Sequence, residues 1–316
     1  MSQKLIRVQK YLQNMTVKIR TFKETDFPLI FELLKASDGD QRLIYMHYGD
    51  GNLLSWLQKR RIEVLVAEDN CEIIGSVAYN DGFWGEEIEW LIVCETANRK
   101  VVEDVLVREI EMCVKRGTVF TSVKSGSPRA EEWVQRGYFP NGGLNYMVTK
   151  LTGLKAPLKI PDGVLLRSLR PEEEKEFVQL VNAGFDFERV NMGDIQKWKT
   201  ESPPFDEQWI HVAEIDKKLV SVVVAKPDTG YNRFFNAKRG YLGPAATLRE
   251  HRSSNLASAL TVRAMNCLFM QEMDSVCAFT SQTNIPSITL LRKIGFEIEH
   301  SWNFMFKYFG QPINLV

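Results

Sequence analysis

The spacing of apolar residues changes period repeatedly along the chain, and each change predicts an element. "VKIRTF" at 17–22 alternates like a strand, and "TDFPLIFELLKAS" then turns amphipathic behind Thr25 or Asp26, either of which can cap a helix. A second helix is expected near "NLLSWLQKR". In "VLVAEDNCEIIGSVAY", β-branched residues flank a polar cluster at 68–72, the signature of a hairpin. "EIEWLIV" reads as a strand, "RKVVEDVLVREIEMCVKRG" as a long helix ended by Gly117, "TVFTSV" as a strand, "PRAEEWVQRGY" as a helix and "GLNYMVTKL" as a strand.

From residue 164 the same order begins again. "VLLRSLRPEEEKEFVQLVNAGF" gives strand and helix, "WIHVAEIDKKLVSVVVA" the hairpin, and "RGYLGPAATL" the next strand. "SSNLASALTVRAMNCLFMQEM" gives the long helix, followed by strand "SVCAFTS", helix "IPSITLLRKIGF" and strand "HSWNFMFKYF". The order β-α-α-β-β-β-α-β-α-β therefore occurs twice, with "WVQRGYF" echoing "LLRKIGF", and duplication is the economical explanation. The expected division is an N-terminal extension 1–16, a domain 17–151, a Pro- and Gly-interrupted linker 152–163 and a domain 164–316. In the extension Leu5, Val8, Leu12 and Met15 recur at helical spacing, which fits a short helix or a frayed end.

A chain of 316 residues is comfortable for two cores. Lys plus Arg and Asp plus Glu each number 40, so no net field draws the whole protein to nucleic acid or to anionic membrane, and neither is an expected partner. The five cysteines are odd in number and never spaced CxxC, against a disulfide framework and a zinc knuckle and for a reducing, cytoplasmic setting. No signal peptide and no apolar run of membrane-spanning length is apparent.

The densest polar chemistry lies in "GPAATLREHRSSNLASAL" at 243–260, a strand, a knot of charge and a helix start. Unpaired N–H groups at a helix N-terminus, aided by the helix dipole, form a receptor for phosphate. Ser253 and Ser254 add hydroxyls, Arg249 and Arg252 add positive charge, and Gly243 with Pro244 points to a bulge or broken ladder just before. Further on stand Asn284, Ser287, Leu290, Leu291, Gly295 and Phe296. Together these resemble two motifs of the GNAT N-acetyltransferases. The first is the acyl-CoA signature Q/R-x-x-G-x-G/A, here Arg252, Ser253, Ser254, Asn255, Leu256 and Ala257. The second is the family's Asn, small residue, Leu-Tyr and Gly-Phe series. The whole chain is similar to tandem-GNAT proteins.

The resemblance implies an α+β fold, namely two tandem GNAT folds, each with a mixed, mostly antiparallel twisted sheet flanked by helices. It implies acetyl-CoA as acyl donor and a primary amine of a small molecule or peptide as acceptor. The pantetheine arm would hydrogen-bond main chain near Ala246 and Thr247, and the pyrophosphate would meet residues 252–257, with Asn284 nearby. The family's usual acid, a Tyr, is here Leu291. Counting by two from Thr247 along an ideal strand gives Ala245, Gly243 and Tyr241, which makes Tyr241 the candidate catalytic side chain, a hydrogen-bond donor or relay rather than a base. His211, His300 and Cys277 are expected to be structural. In the first half no glycine stands at the turn, Trp133 replaces Tyr, Gly126 replaces Asn, and Glu95, Glu103 and Glu111 would repel pyrophosphate, so this copy is expected to lack the cofactor. Acceptor recognition is expected from Phe185, Phe187, Phe234 and Phe235, with Asp186 or Glu188 pairing a cationic amine. Two other functions fit the sequence: an acyl-CoA-binding sensor without catalysis, and an aminoacyl transferase using charged tRNA, disfavoured by the absence of a basic stripe.

Overall fold

The computed structural model describes residues 17–37, 50–59, 61–82, 85–95 and 98–310, so the expected extension 1–16 lies outside the described residues. The first run of elements is β1 (Lys18–Thr21), α1 (Phe27–Ala36), α2 (Asp50–Leu57), β2 (Ile62–Asp69), β3 (Glu72–Gly82), β4 (Gly85–Val93), α3 (Arg99–Glu111), β5 (Thr118–Lys124), α4 (Arg129–Gln135) and β6 (Phe139–Lys150). The second is β7 (Leu165–Ser168), α5 (Glu174–Phe185), α6 (Asp194–Glu201), β8 (Ile210–Ile215), β9 (Lys218–Pro227), α7 (Thr229–Phe235), β10 (Arg239–Thr247), α8 (Leu256–Met270), β11 (Ser275–Ser281), α9 (Ile285–Lys293) and β12 (Glu297–Tyr308). The expected order recurs, with one addition. Helix α7 occupies the stretch between the expected hairpin and the strand "RGYLGPAATL", started by the Asp228 carboxylate accepting from the Tyr231 N–H and ended by left-handed Asn236.

The chain divides into two compact units, Met1–Gly143 with Trp302–Val316, and Leu144–Ser301. The expected division at 152–163 is corrected on two counts. First, the closing strands are exchanged. In the first unit β12 pairs antiparallel with β5 from Trp302↔Lys124 to Tyr308↔Thr118. In the second, β6 pairs antiparallel with β11 from Ser275↔Lys150 to Ser281↔Leu144. Because the two runs of elements are alike, each offers a similar slot beside its parallel strand, and either closing strand satisfies it. Second, the expected linker is docked. The Lys155 N–H donates to Asn266 Oδ1 and the Asn266 amide donates back to the Lys155 carbonyl, each at 2.8 Å.

The strand order is β1-β2-β3-β4-β5-β12 in the first unit and β7-β8-β9-β10-β11-β6 in the second. The likeness reaches individual ion pairs. Arg20 binds Asp26 at 2.7 Å and Glu68 at 2.8 Å, tying β1, the turn before α1 and the hairpin. Arg167 binds Glu173 and Glu214 at 2.6 Å in the corresponding places. The Asp26 carboxylate is thus held by Arg20 and by the Lys23 N–H and does not cap α1 with its side chain. Both hairpins turn through two left-handed residues, Asn70 with Cys71 and Asp216 with Lys217, the geometry that matches strand twist.

The first sheet carries a core on each face, one around Leu106, Ile110 and Trp133, the other around Ile30, Trp56 and Trp90. The second unit has one contiguous core. Within it α5 meets β10 so closely that a Cβ on Gly184 would lie 2.7 Å from the Cβ of Ala246. His211 on β8 is 3% exposed, and neither ring nitrogen has a hydrogen-bond partner among the described residues. Burial, with a smaller push from Arg263, takes its pKa down to about 3.

Two outcomes are expected. Gly184→Ala lowers the thermal midpoint, because overpacking of about 1–3 kcal/mol exceeds the gain of about 1 kcal/mol in helix propensity. For His211 the folded pKa lies below the unfolded value of about 6.5, so the unfolded chain binds the extra proton; stability is intact above pH 6.5 and falls toward pH 3 by about 1.4 kcal/mol per unit. His211→Leu removes that slope, as read from denaturation midpoints against pH for variant and wild type.

Candidate active site

The two edges of β10 end their ladders at different places. Toward β11 the parallel pairing runs only from Arg239↔Ser275 to Leu242↔Ala278. Toward β9 the antiparallel pairing runs from Gly240 to Thr247, with a register shift between Leu242 and Ala245. Gly243, at φ 149°, and Pro244 fill the shift, and Pro has no N–H for either neighbour. The two parallel strands therefore part after Leu242 and Ala278, while β11 continues to Ser281. The Leu248 N–H bonds the Val220 carbonyl on the β9 side at 3.0 Å, so by alternation the N–H groups of Ala245 and Thr247 face the gap.

Residues 252–257 stand where this strand feeds α8. Arg252 reaches back, Nε to the Thr247 carbonyl at 3.2 Å and Nη2 to the Gly184 carbonyl at 3.1 Å, and so ties strand, loop and α5 together. Ser253 and Asn255 are both left-handed, at φ 65° and 64°. That explains Asn where the motif has Gly, since Asn is among the few other residues at ease there. The Asn255 amide donates to the Lys159 carbonyl at 3.0 Å, and the Ser254 hydroxyl donates to the His251 carbonyl. Leu256 anchors the helix in the core, Ala257 is half-buried, and Asn255 makes no side-chain cap to the first-turn N–H groups. The Thr247 hydroxyl meets that of Ser221 at 2.7 Å, and Ala246 is buried. Asn284 caps α9, its Oδ1 accepting from the Ser287 N–H at 3.2 Å. Leu291 is buried in the core.

The register shift changes which residues share a face. Tyr241 stands opposite Lys226 and Ala246 opposite Val222, so Tyr241 shares its face with Ala246. The count by two from Thr247 is corrected accordingly: it assumed an unbroken strand, and the bulge at Gly243 and Pro244 reverses it. A Cβ on Gly243 would lie 2.7 Å from the Tyr241 hydroxyl, which places that hydroxyl at the head of the gap. Burial pushes the Tyr241 pKa up to about 12, so the phenol stays protonated, a potential donor rather than a base.

Around Tyr241 lie Lys226, Arg239, Asp228 and Tyr146, which motif reading missed, together with Cys277 and His300, which it takes as structural. Lys226 sits with Nζ 4.6 Å from the Trp198 ring centroid and 5.6 Å from that of Tyr241. Burial brings its pKa down to about 8. Arg239, 3% exposed, binds Asp228 through Nη2 at 2.6 Å and Nε at 3.1 Å and donates to the Tyr146 hydroxyl. The Cys277 thiol lies 3.7 Å from the same carboxylate, with its pKa pushed up to about 12 by burial. His300 stacks on Tyr146 with centroids 5.9 Å apart. The signal that could have found Lys226 is the register of β9 against β10, which sets it opposite Tyr241. The expected acceptor aromatics form two pairs, Phe185 with Phe187 at 5.6 Å and Phe234 with Phe235 at 4.8 Å. Asp186 is the left-handed cap of α5.

In the first unit β4 also parts from β5, after Ile88↔Thr121. Arg129 reaches the Leu91 carbonyl at 3.4 Å. Its Nη1 binds Glu103, which also takes Arg99 and Arg136, each contact at 2.7 or 2.8 Å. Glu111 is paired with Lys307 at 2.8 Å. The expectation that Glu103 and Glu111 act as repelling charges is corrected: both are neutralised within the fold. Among the described residues no group of His, Cys, Asp and Glu is arranged to hold a metal, and no helix is long and apolar enough to cross a membrane.

Residues 166–298 match the family described as acetyltransferase (GNAT) domain. No curated protein matches by sequence. In structure the chain is similar to a GCN5-related N-acetyltransferase from Sphaerobacter thermophilus, at 15% identity and TM-score 0.71, covering 95% of this chain and 98% of that one. It is similar to a tandem GNAT protein from the clavulanic acid biosynthesis pathway, at 15% identity and TM-score 0.63, covering 94% and 100%. A GCN5-related glucosamine N-acetyltransferase region of a fungal multi-domain GH3 β-N-acetylglucosaminidase aligns at 12% identity and TM-score 0.67, covering 93% and 38%. At such identities the likeness is one of fold. Residues 166–298 thus match the acetyltransferase (GNAT) domain family, and over nearly its whole length the chain shares its fold with a tandem GNAT protein.

Proposed function

We propose that this protein is an acetyl-CoA-dependent N-acetyltransferase acting on a primary amine of a small molecule or peptide, with the donor bound by the second unit alone. The observation that carries this reading is the open edge of β10 leading to the start of α8, where Asn255 makes no side-chain cap. N–H groups in the first turn of α8 receive the pyrophosphate, and the half-buried Ala257 permits its close approach. The N–H groups of Ala245 and Thr247 receive the pantetheine arm and polarise the thioester carbonyl, fixed donors of the kind that lower acyl-transfer barriers. Acetyl-CoA supplies a thioester whose thiol, with a pKa of about 8.5, leaves readily without the Tyr that Leu291 replaces. Tyr241, protonated at the head of the gap, donates a hydrogen bond there or relays a proton through water. In the first unit the Arg129 and Glu103 network occupies the corresponding gap, which supports a copy that binds no donor. Five free thiols fit a reducing, cytoplasmic setting. The buried Leu291, which can give no proton, favours a second reading as an acyl-CoA-binding sensor.

Calorimetry with acetyl-CoA and release of free CoA thiol across an amine panel test both readings. Binding with turnover is expected; tight binding with no acceptor acetylated would leave the sensor. Ala257→Asp puts a carboxylate in the first turn of α8, where it favours the helix yet repels pyrophosphate. The thermal midpoint should hold or rise while acetyl-CoA affinity drops about tenfold or more. Asn255→Gly keeps the left-handed start and removes an amide already bound to Lys159, so acetyl-CoA affinity should stay within about threefold by calorimetry.

A further inference from the structure

We propose that the acceptor carries an anionic group, an α-carboxylate, and that Lys226 receives it on the face of β9 and β10 that holds Tyr241. The proposal deepens the acyl-transfer reading and rests on it for the purpose of the site. Lys226 is a half-buried ammonium framed by the rings of Trp198 and Tyr241, and among the described residues it forms no ion pair. Of the three carboxylates that act on it, two are committed elsewhere and the third is open to solvent. Asp228 is bound by Arg239, Asp194 accepts the Asn191 N–H, and exposed Glu201 faces Lys197 at 3.9 Å.

The guanidinium of Arg189 adds positive potential at both Lys226 and Tyr241. Aromatic faces offset part of the cost of holding such a cation away from water, and an anion completes it. Lys226 stands directly opposite Tyr241, whose hydroxyl lies at the head of the gap beside Gly243. A carboxylate on Lys226 therefore sets the adjoining amine beside the edge that would present the thioester. With the Arg189 guanidinium, Lys226 gives this face a basic group suited to an acidic acceptor, a different pairing from the expected one of Asp186 or Glu188 with a cationic amine.

The test compares proteinogenic α-amino acids, each beside its own α-amide, as acceptors for acetyl-CoA, read by thiol release. In parallel, calorimetry measures binding of the corresponding N-acetyl acids and N-acetyl amides. Wild type should prefer the acid over the amide by about 10- to 100-fold in kcat/KM for at least one pair, the range of a charge-assisted hydrogen bond. Lys226→Met should bring that ratio to about one and Lys226→Arg should keep most of it, while unchanged acetyl-CoA affinity reports an intact fold. Transfer without a preference for the acid, or a preference that survives Lys226→Met, overturns the proposal. If no amine turns over, calorimetry decides. Lys226-dependent binding of an N-acetyl acid upholds the anion site while the acyl-transfer reading falls, and no binding of any N-acetyl acid overturns the site itself.

Discussion

Two parallel strands that stop pairing partway leave backbone N–H and C=O groups facing a gap, and buried groups of that kind must find partners. Both units of this protein meet that constraint at the same point of their fold, after Ile88↔Thr121 in one and after Leu242↔Ala278 in the other. They answer it differently. In the first unit a guanidinium from α4 reaches the Leu91 carbonyl and is held by Glu103, itself shared by three arginines. In the second, Arg252 meets the Thr247 carbonyl on the strand and the Gly184 carbonyl on α5, and the donors of Ala245 and Thr247 are left toward the gap. One unit closes its strand edge with its own side chains, and the other keeps an edge that a ligand can complete.

The element order was legible because strand and helix periods differ and because both runs carry the same punctuation. The positions of Arg20 and Arg167, each binding a carboxylate on the following turn and another on the hairpin, extend that likeness to side chains. The exchange of closing strands was illegible for the same reason. When two copies are alike, the pattern in "GLNYMVTKL" and in "HSWNFMFKYF" suits either slot, and periodicity cannot choose between them. Helix α7 escaped notice because it buries no residue and so carries no amphipathic stripe.

The site was partly legible. The start of α8 was found from residue types, and left-handed Asn255 supplies the conformational reason for an asparagine in a glycine position. Tyr241 was reached by a count that the bulge invalidates, since one unpaired step at Gly243 and Pro244 moves every later side chain to the other face. Lys226 could not be found from its own surroundings in "VVVAKPD"; its relevance comes from standing opposite Tyr241 in the pairing of β9 with β10.

Equal numbers of acidic and basic residues conceal how unequally their charges are compensated. Glu103 and Glu111, which a linear reading takes for a repelling surface, are buried or half-buried and paired with Arg and Lys. Lys226, one cation among 40 Lys and Arg in the sequence, has aromatic faces in place of a carboxylate. A charge acts on a ligand only to the extent that the fold has not already satisfied it. By that measure the first unit presents a neutralised network where its glutamates lie. The second presents, one strand from an open edge, an ammonium that forms no ion pair among the described residues and whose charge an incoming anion would compensate.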